Sequence, residues 1–238
     1  MNLDLYLLQK LNGLVALKGP WYFISNALGE NPLIRGVPIF MCLLYVWFSK
    51  KDIQHKSKII LGIFGVCIAV LISVYCQSHL NFHLRPILDS SINIANPDEF
   101  DVDFFDKRIY SFPSDTATVY FSFSFIVYLV NRKLGAACLA WSFLTAGITR
   151  IAMGIHYPSD ILGGLILGSV VVLICSTNKF SQNFVGNLLE KYDPKFIKVN
   201  IFLFLFCAEA YTLFQGLKPI YHLMTKIHLS VIKNLLSL

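Results

Sequence analysis

The chain has 238 residues, of which 55% are hydrophobic and only 14% charged, and its mean hydropathy is +0.61. Soluble domains carry about a quarter charged residues, so this chain cannot clothe its own surface in polar groups and belongs in a bilayer. The net charge of +6 does not point to nucleic acid, because the basic residues stand in short clusters between apolar runs.

The length and the lack of a Pro/Ser-rich linker suit one membrane-embedded domain over 1–238. Residues 2–30 alternate apolar clusters with Lys10, Asn12, Lys18 and Trp21, a pattern that predicts an interfacial amphipathic segment of one or two helices. The opening stretch lacks the basic region and continuous apolar run of a signal peptide. A spanning helix needs about 20 mostly apolar residues. Six candidates follow, at roughly 33–49, 59–77, 114–131, 134–154, 160–176 and 199–216. The expected fold is therefore all-α, a polytopic membrane helical bundle. The six cysteines lie in or at the ends of apolar runs with no metal or disulfide spacing, and read as packing residues.

Charge orients these spans. Lys50, Lys51, Lys56 and Lys58 follow the first, Arg132 and Lys133 the third, and Lys179, Lys191, Lys195 and Lys198 the fifth. The three connections share one side, which the positive-inside rule makes cytoplasmic. The long loop 78–113, the junction 155–159 and both termini then face outward. The tail, with Lys218, Lys226 and Lys233, is the one misfit.

That outer side collects the unusual polar residues in three clusters: His83-Leu84-Arg85-Pro86, Phe112-Pro113-Ser114-Asp115-Thr116, and Arg150 with His156 and Asp160. Ionisable groups at membrane depth are costly and point to function. Tyr157-Pro158-Ser159-Asp160 reads as a helix start. Asp160 is near enough in sequence to hold one nitrogen of His156 and free the other as a nucleophile. Arg150 and Arg85 offer guanidinium forks suited to phosphate oxygens. Ser114 and the amides at a helix start add an anion site.

These residues resemble the motifs of the type-2 phosphatidic acid phosphatase superfamily, related to vanadium haloperoxidases. Its three motifs are Lys-x6-Arg-Pro, Pro-Ser-Gly-His and Ser-Arg-x5-His-x3-Asp. Here they correspond to SHLNFHLRP, FPSDT and TRIAMGIHYPSD. Within the superfamily the nearest resemblance is to bacterial undecaprenyl-diphosphate phosphatases of the inner membrane. By that resemblance His156 attacks phosphorus and forms a phosphohistidine, Asp160 orients it, and Arg85, Ser114 and Arg150 hold the phosphoryl oxygens. No metal or cofactor is implied. The partners implied are a lipid-linked phosphate or diphosphate and membrane lipids.

Two positions depart from the pattern. Ser78 stands where the first motif has Lys, and Thr116 where the second has the histidine that protonates the leaving group. The possible proton donors are Thr116 itself, His83, His79 and Asp115. Losing the acid favours a diphosphate, whose phosphate leaving group needs little help, over a monoester with an alkoxide leaving group. The alternatives are a phosphatase or phosphotransferase acting on another lipid-linked phosphate, of glycolipid or lipid A type, and silent binding of lipid phosphate.

Overall fold

Capping chemistry sets the helix boundaries. In the computed structural model, which describes residues 3–16, 18–49, 52–80, 82–96 and 109–192 together with 197, 200 and 201, these boundaries can be followed in turn. Helices α1 (Leu3–Val15), α2 (Pro20–Glu30) and α3 (Pro32–Ser49) form the N-terminal part. Asp52 then accepts the Gln54 amide and starts α4 (Ile53–His79). Ser114 caps α5 (Asp115–Val130), and Asn131 both ends α5 and caps α6 (Arg132–Ser142) through the Leu134 amide. A π-helical turn, Phe143–Ile148, joins α6 to the short α7 (Thr149–Ala152). Pro158 sits at the first turn of α8 (Pro158–Thr177), and α9 (Lys179–Tyr192) follows. A short 3₁₀ turn lies at Pro86–Leu88. The described residues contain no strand, only an isolated bridge between Leu84 and Tyr110.

The all-helical expectation holds, but the count of about six spans is met only in part. Among the described residues, three helical stretches are long and apolar enough to cross a membrane: Ile53–His79, Arg132–Ala152 and Pro158–Thr177. A fourth exists if α2 and α3, which meet at a 46° bend, act together as one broken span. The helix expected at 114–131 is apolar, yet α5 has only 16 residues. The stretch expected at 134–154 contains the π turn. The sixth expected span, apart from residues 200 and 201, and the tail 217–238 lie outside the described residues. Residues 1–194 form one compact unit and 195–238 another; the site belongs to the first.

The N-terminal helices are more than surface elements. Leu8, Asn12 and Val15 of α1 are buried, while Leu3 and Leu14 are exposed. Asn12 donates to the carbonyls of Ala95 and Ala152 and accepts the Ala95 amide, so it ties α1 to the chain around α7.

At the centre, α8 packs on α4 and α5. Its buried face is a row at every fourth residue: Asp160, Gly164, Gly168, Val172 and Ser176. A Cβ on Gly164 would lie 2.8 Å from the Ser114 carbonyl oxygen, and one on Gly168 would lie 2.8 Å from that of Thr118. Small residues here let the two backbones meet, as helices in membranes require. Gly168→Val should therefore lower stability by about 1–3 kcal/mol, the usual cost of overpacking. Thermal unfolding of the purified protein in detergent checks this, with Ile166→Ala on the exposed face of α8 as a near-neutral control.

Candidate active site

The site forms where α4 ends and where α5 and α8 begin. The three segments are joined through backbone groups. Ser73 and Gln77, both buried on α4, donate to the Pro113 carbonyl at 3.0 and 2.6 Å. The Ser114 amide donates to the Asp160 carbonyl at 3.1 Å. The His83–Arg85 strip pairs with residues 109–111, through Arg85 N–H to Ile109 and Ser111 N–H to His83. All three sequence clusters are thus fixed to one another before any side chain is considered.

His156 is 2% exposed and held from both sides. Its Nδ1 lies 3.1 Å from the Ser111 carbonyl oxygen and 3.3 Å from Asp160 Oδ2. Both are acceptors, so Nδ1 carries the proton and donates. Nε2 is then the lone-pair nitrogen, and accepts from Arg85 Nη1 at 3.1 Å. Arg85 is itself buried; its other amino group donates to Gln77 Oε1 at 3.3 Å. A basic nitrogen beside a guanidinium is an arrangement for attacking an anion that the guanidinium holds.

Asp160 is fully buried and its carboxylate is shared. Oδ2 accepts the Tyr157 amide at 2.8 Å as a capping contact, besides facing His156. Oδ1 accepts from His83 Nε2 at 2.8 Å. His83 therefore stands on the Asp160 side of His156, away from Nε2. Burial and the Arg85 guanidinium push His156 below the ordinary histidine value. The bond to Asp160 pushes His83 above it, against its partial burial.

The other expected residues divide. The Ser114 hydroxyl accepts the Ala117 amide and keeps its own proton to donate. Asp115 accepts the Thr116 amide and lies within electrostatic range of His156, and Thr116 is buried in the first turn of α5. His79 is not brought in: its Nδ1 bonds the Tyr75 carbonyl one turn back, and its ring stacks on Tyr75. The Arg150 backbone carbonyl accepts from Ile155 and His156, but its side chain binds Glu30 rather than the His156 cluster.

Three participants were missed in the sequence. Ser78, at the lysine position of the first motif, is exposed and bonds the Val74 carbonyl of its own helix. Its neighbour Gln77 is the residue that faces inward. A single amide in an apolar run was the available signal. Ser111 contributes only a carbonyl, which no side-chain pattern reveals. Glu30 had no motif around it.

Residues 84–184, which contain this arrangement, match the PAP2 superfamily. Over this stretch the chain resembles that superfamily. It is a phosphatase of the type-2 phosphatidic acid phosphatase class. It is 30% identical over 131 residues to undecaprenyl-diphosphatase BcrC of Bacillus subtilis, covering 55% of this chain and 62% of that protein. It is 26% identical over 169 residues to bacitracin transport permease protein BcrC of Bacillus licheniformis, covering 68% and 78%. It is also 28% identical over 177 residues to lipid A 4'-phosphatase of Bacteroides thetaiotaomicron, covering 70% and 72%. No solved structure matches the chain.

The lowered His156 value predicts the acid side of the pH profile. On the expectation that His156 is the nucleophile, its ring must be neutral to attack, and with its value lowered it stays neutral below the ordinary histidine pKa of about 6.5. Measured from about pH 4 to 9, kcat/KM should therefore hold its plateau to below about pH 6.5 before the acid limb sets in.

Proposed function

We propose that the chain hydrolyses a polyprenyl diphosphate, undecaprenyl diphosphate foremost, through a phosphohistidine on His156 at the extracytoplasmic face of a bacterial inner membrane. The observation that carries this reading is Thr116. It occupies the place of the leaving-group acid, in the buried first turn of α5, while His83 is committed to Asp160. A threonine hydroxyl does not donate a proton near neutral pH. A reaction whose leaving group is itself a phosphate, with a second pKa of about 6, needs far less protonation than one expelling an alkoxide.

The chemistry then runs in two steps. His156 Nε2 forms a bond to the terminal phosphorus, and the bridging P–O bond breaks to release polyprenyl monophosphate. Water next attacks the phosphohistidine, giving inorganic phosphate and returning the neutral imidazole after a proton is lost to solvent. Arg85, Arg150 and the Ser114 hydroxyl hold the phosphoryl oxygens, and Asp160 supports the charge that builds on the ring. In-line placement and charge neutralisation supply most of what phosphoryl transfer asks of a protein.

The charge pattern supports the outward face. Lys56 and Lys58 stand at the start of α4, Arg132 and Lys133 just past the end of α5, and Lys179 past the end of α8. All are at the helix ends opposite His156. The name of the Bacillus subtilis relative, an undecaprenyl-diphosphatase, supports the diphosphate reading. That of the Bacteroides relative, a lipid A 4'-phosphatase, supports a second reading: another lipid-linked phosphate, hydrolysed or transferred.

Phosphate release by purified protein from long-chain polyprenyl diphosphate, polyprenyl monophosphate, phosphatidate and a lipid A phosphate separates these readings. The diphosphate should turn over fastest, and His156→Ala should abolish release. Equal turnover of His156→Ala and wild type would overturn the hydrolase mechanism. Thr116→His should raise monophosphate turnover more than diphosphate turnover, within the roughly 10²–10⁴-fold range of general acid catalysis.

A further inference from the structure

A second polar cluster lies beside the site, and nothing above assigns its Glu30 and Arg35 a task. Its members are Glu30 at the end of α2, Arg35 on α3 and Arg150 on α7. The last turn of α2 rests directly on α7: a Cβ on Gly29 would lie 2.7 Å from Thr149 Oγ1. That close approach sets Glu30 beside Arg150, whose Nη1 donates to Glu30 Oε1 at 2.5 Å. Arg35 is buried, donates through Nη1 to the Gly29 carbonyl and lies over the Tyr120 ring, 4.9 Å from its centroid. Both Glu30 and Arg150 are within electrostatic range of Arg35.

Two guanidiniums thus share one carboxylate, and the cluster keeps a net positive charge. Glu30 takes only one amino group of Arg150. Among the described residues, the buried Nε–H of Arg150 meets no acceptor, and neither does that of Arg35. A buried donor left unpaired is costly, which is hard to sustain unless an acceptor arrives during function. The backbone carbonyl of Arg150 accepts from Ile155 and His156, so the cluster adjoins the nucleophile's own loop.

We propose that Glu30 is a positioning residue of the phosphatase. It anchors Arg150 by one corner so that the Nε edge of the guanidinium is presented to phosphoryl oxygens, and Arg35 holds Glu30 in place as its second counter-charge. This rests on the reading that Arg150 binds the phosphoryl group. Glu30 acts through Arg150 and does not touch the substrate. Because α2 and α3 meet at a bend just after Glu30, the anchor sits on a joint between two helices rather than within one.

A double-mutant cycle on the full-length protein in detergent tests this. The readouts are KM and kcat for polyprenyl diphosphate, and the thermal shift caused by vanadate, a phosphate analogue whose binding needs no turnover. Glu30→Ala should raise KM about tenfold, more than it lowers kcat, and should shrink the vanadate shift. Glu30→Asp should recover part of both. In an Arg150→Ala background, Glu30→Ala should change neither readout further, since residues acting as one unit are not additive.

Additive losses in the double variant would overturn the proposal and leave Glu30 a structural residue. A larger vanadate shift in Glu30→Gln would overturn it too, because Glu30 would then compete with phosphate for Arg150. Glu30→Gln keeps the shape of the side chain and serves if Glu30→Ala does not fold. If His156→Ala retains activity, the proposed function fails first. If His156→Ala is inactive and the cycle is additive, only the role of Glu30 fails.

Discussion

A single buried carboxylate organises the site. Asp160 accepts from the Tyr157 amide, from His156 Nδ1 and from His83 Nε2, with no exposure to solvent. A buried carboxylate is tolerable only when its oxygens are satisfied, and here each bond also does something for its donor. The Tyr157 amide is capped at the start of α8. The His156 ring has its tautomer fixed. His83 has its pKa raised by the bond to the anion. The chain that carries Asp160 also binds backbone to backbone: its carbonyl accepts the Ser114 amide at the start of α5. Without that one residue, α8 loses its cap, the nucleophile its orientation and His83 its counter-charge.

The bundle supports this arrangement through closeness of backbones rather than bulk. The glycines at 164 and 168 continue the row that Asp160 begins, so the same face of α8 that presents the carboxylate also brings α5 near enough for the Ser114–Asp160 bond. On the far side, Ser73 and Gln77 grip the Pro113 carbonyl, which fixes the entry to α5 from α4. The site is therefore rigid for reasons located in three helices, while its reactive atoms lie in the loops between them.

Much of this was legible in the sequence, and the reasons for the rest are physical. The spacing of Arg150, His156 and Asp160 was readable because a helix start places a residue four positions on back over the loop before it, and the structure does join His156 to Asp160. The long apolar runs of α4 and α8 were equally plain. The helix at 115–130 falls within the expected 114–131, and the Asn131 cap that ends it stands at the expected boundary. The π turn at 143–148 leaves no mark on apolar periodicity. Contacts between distant segments were invisible: nothing in the local pattern around Glu30 indicates that α2 delivers it to Arg150, 120 residues away. Ser78, at the lysine position of the first motif, faces away, and its neighbour Gln77 is the residue that α4 turns inward.

That turn of α4 has a consequence for the end of the catalytic cycle. Where the superfamily pattern has a lysine this chain has Ser78, which faces away, and the neutral amide of the neighbouring Gln77 is what meets Arg85. A pocket with one cation fewer grips inorganic phosphate, a small dianion, less tightly than it would with a lysine in place. Binding that is equal for bound and reacting states lowers KM without hastening the chemistry, and strong binding of the product slows its departure. Under the proposed reaction, such a pocket sacrifices some capture of the incoming headgroup and empties more readily, a balance that suits a lipid substrate already concentrated in the membrane.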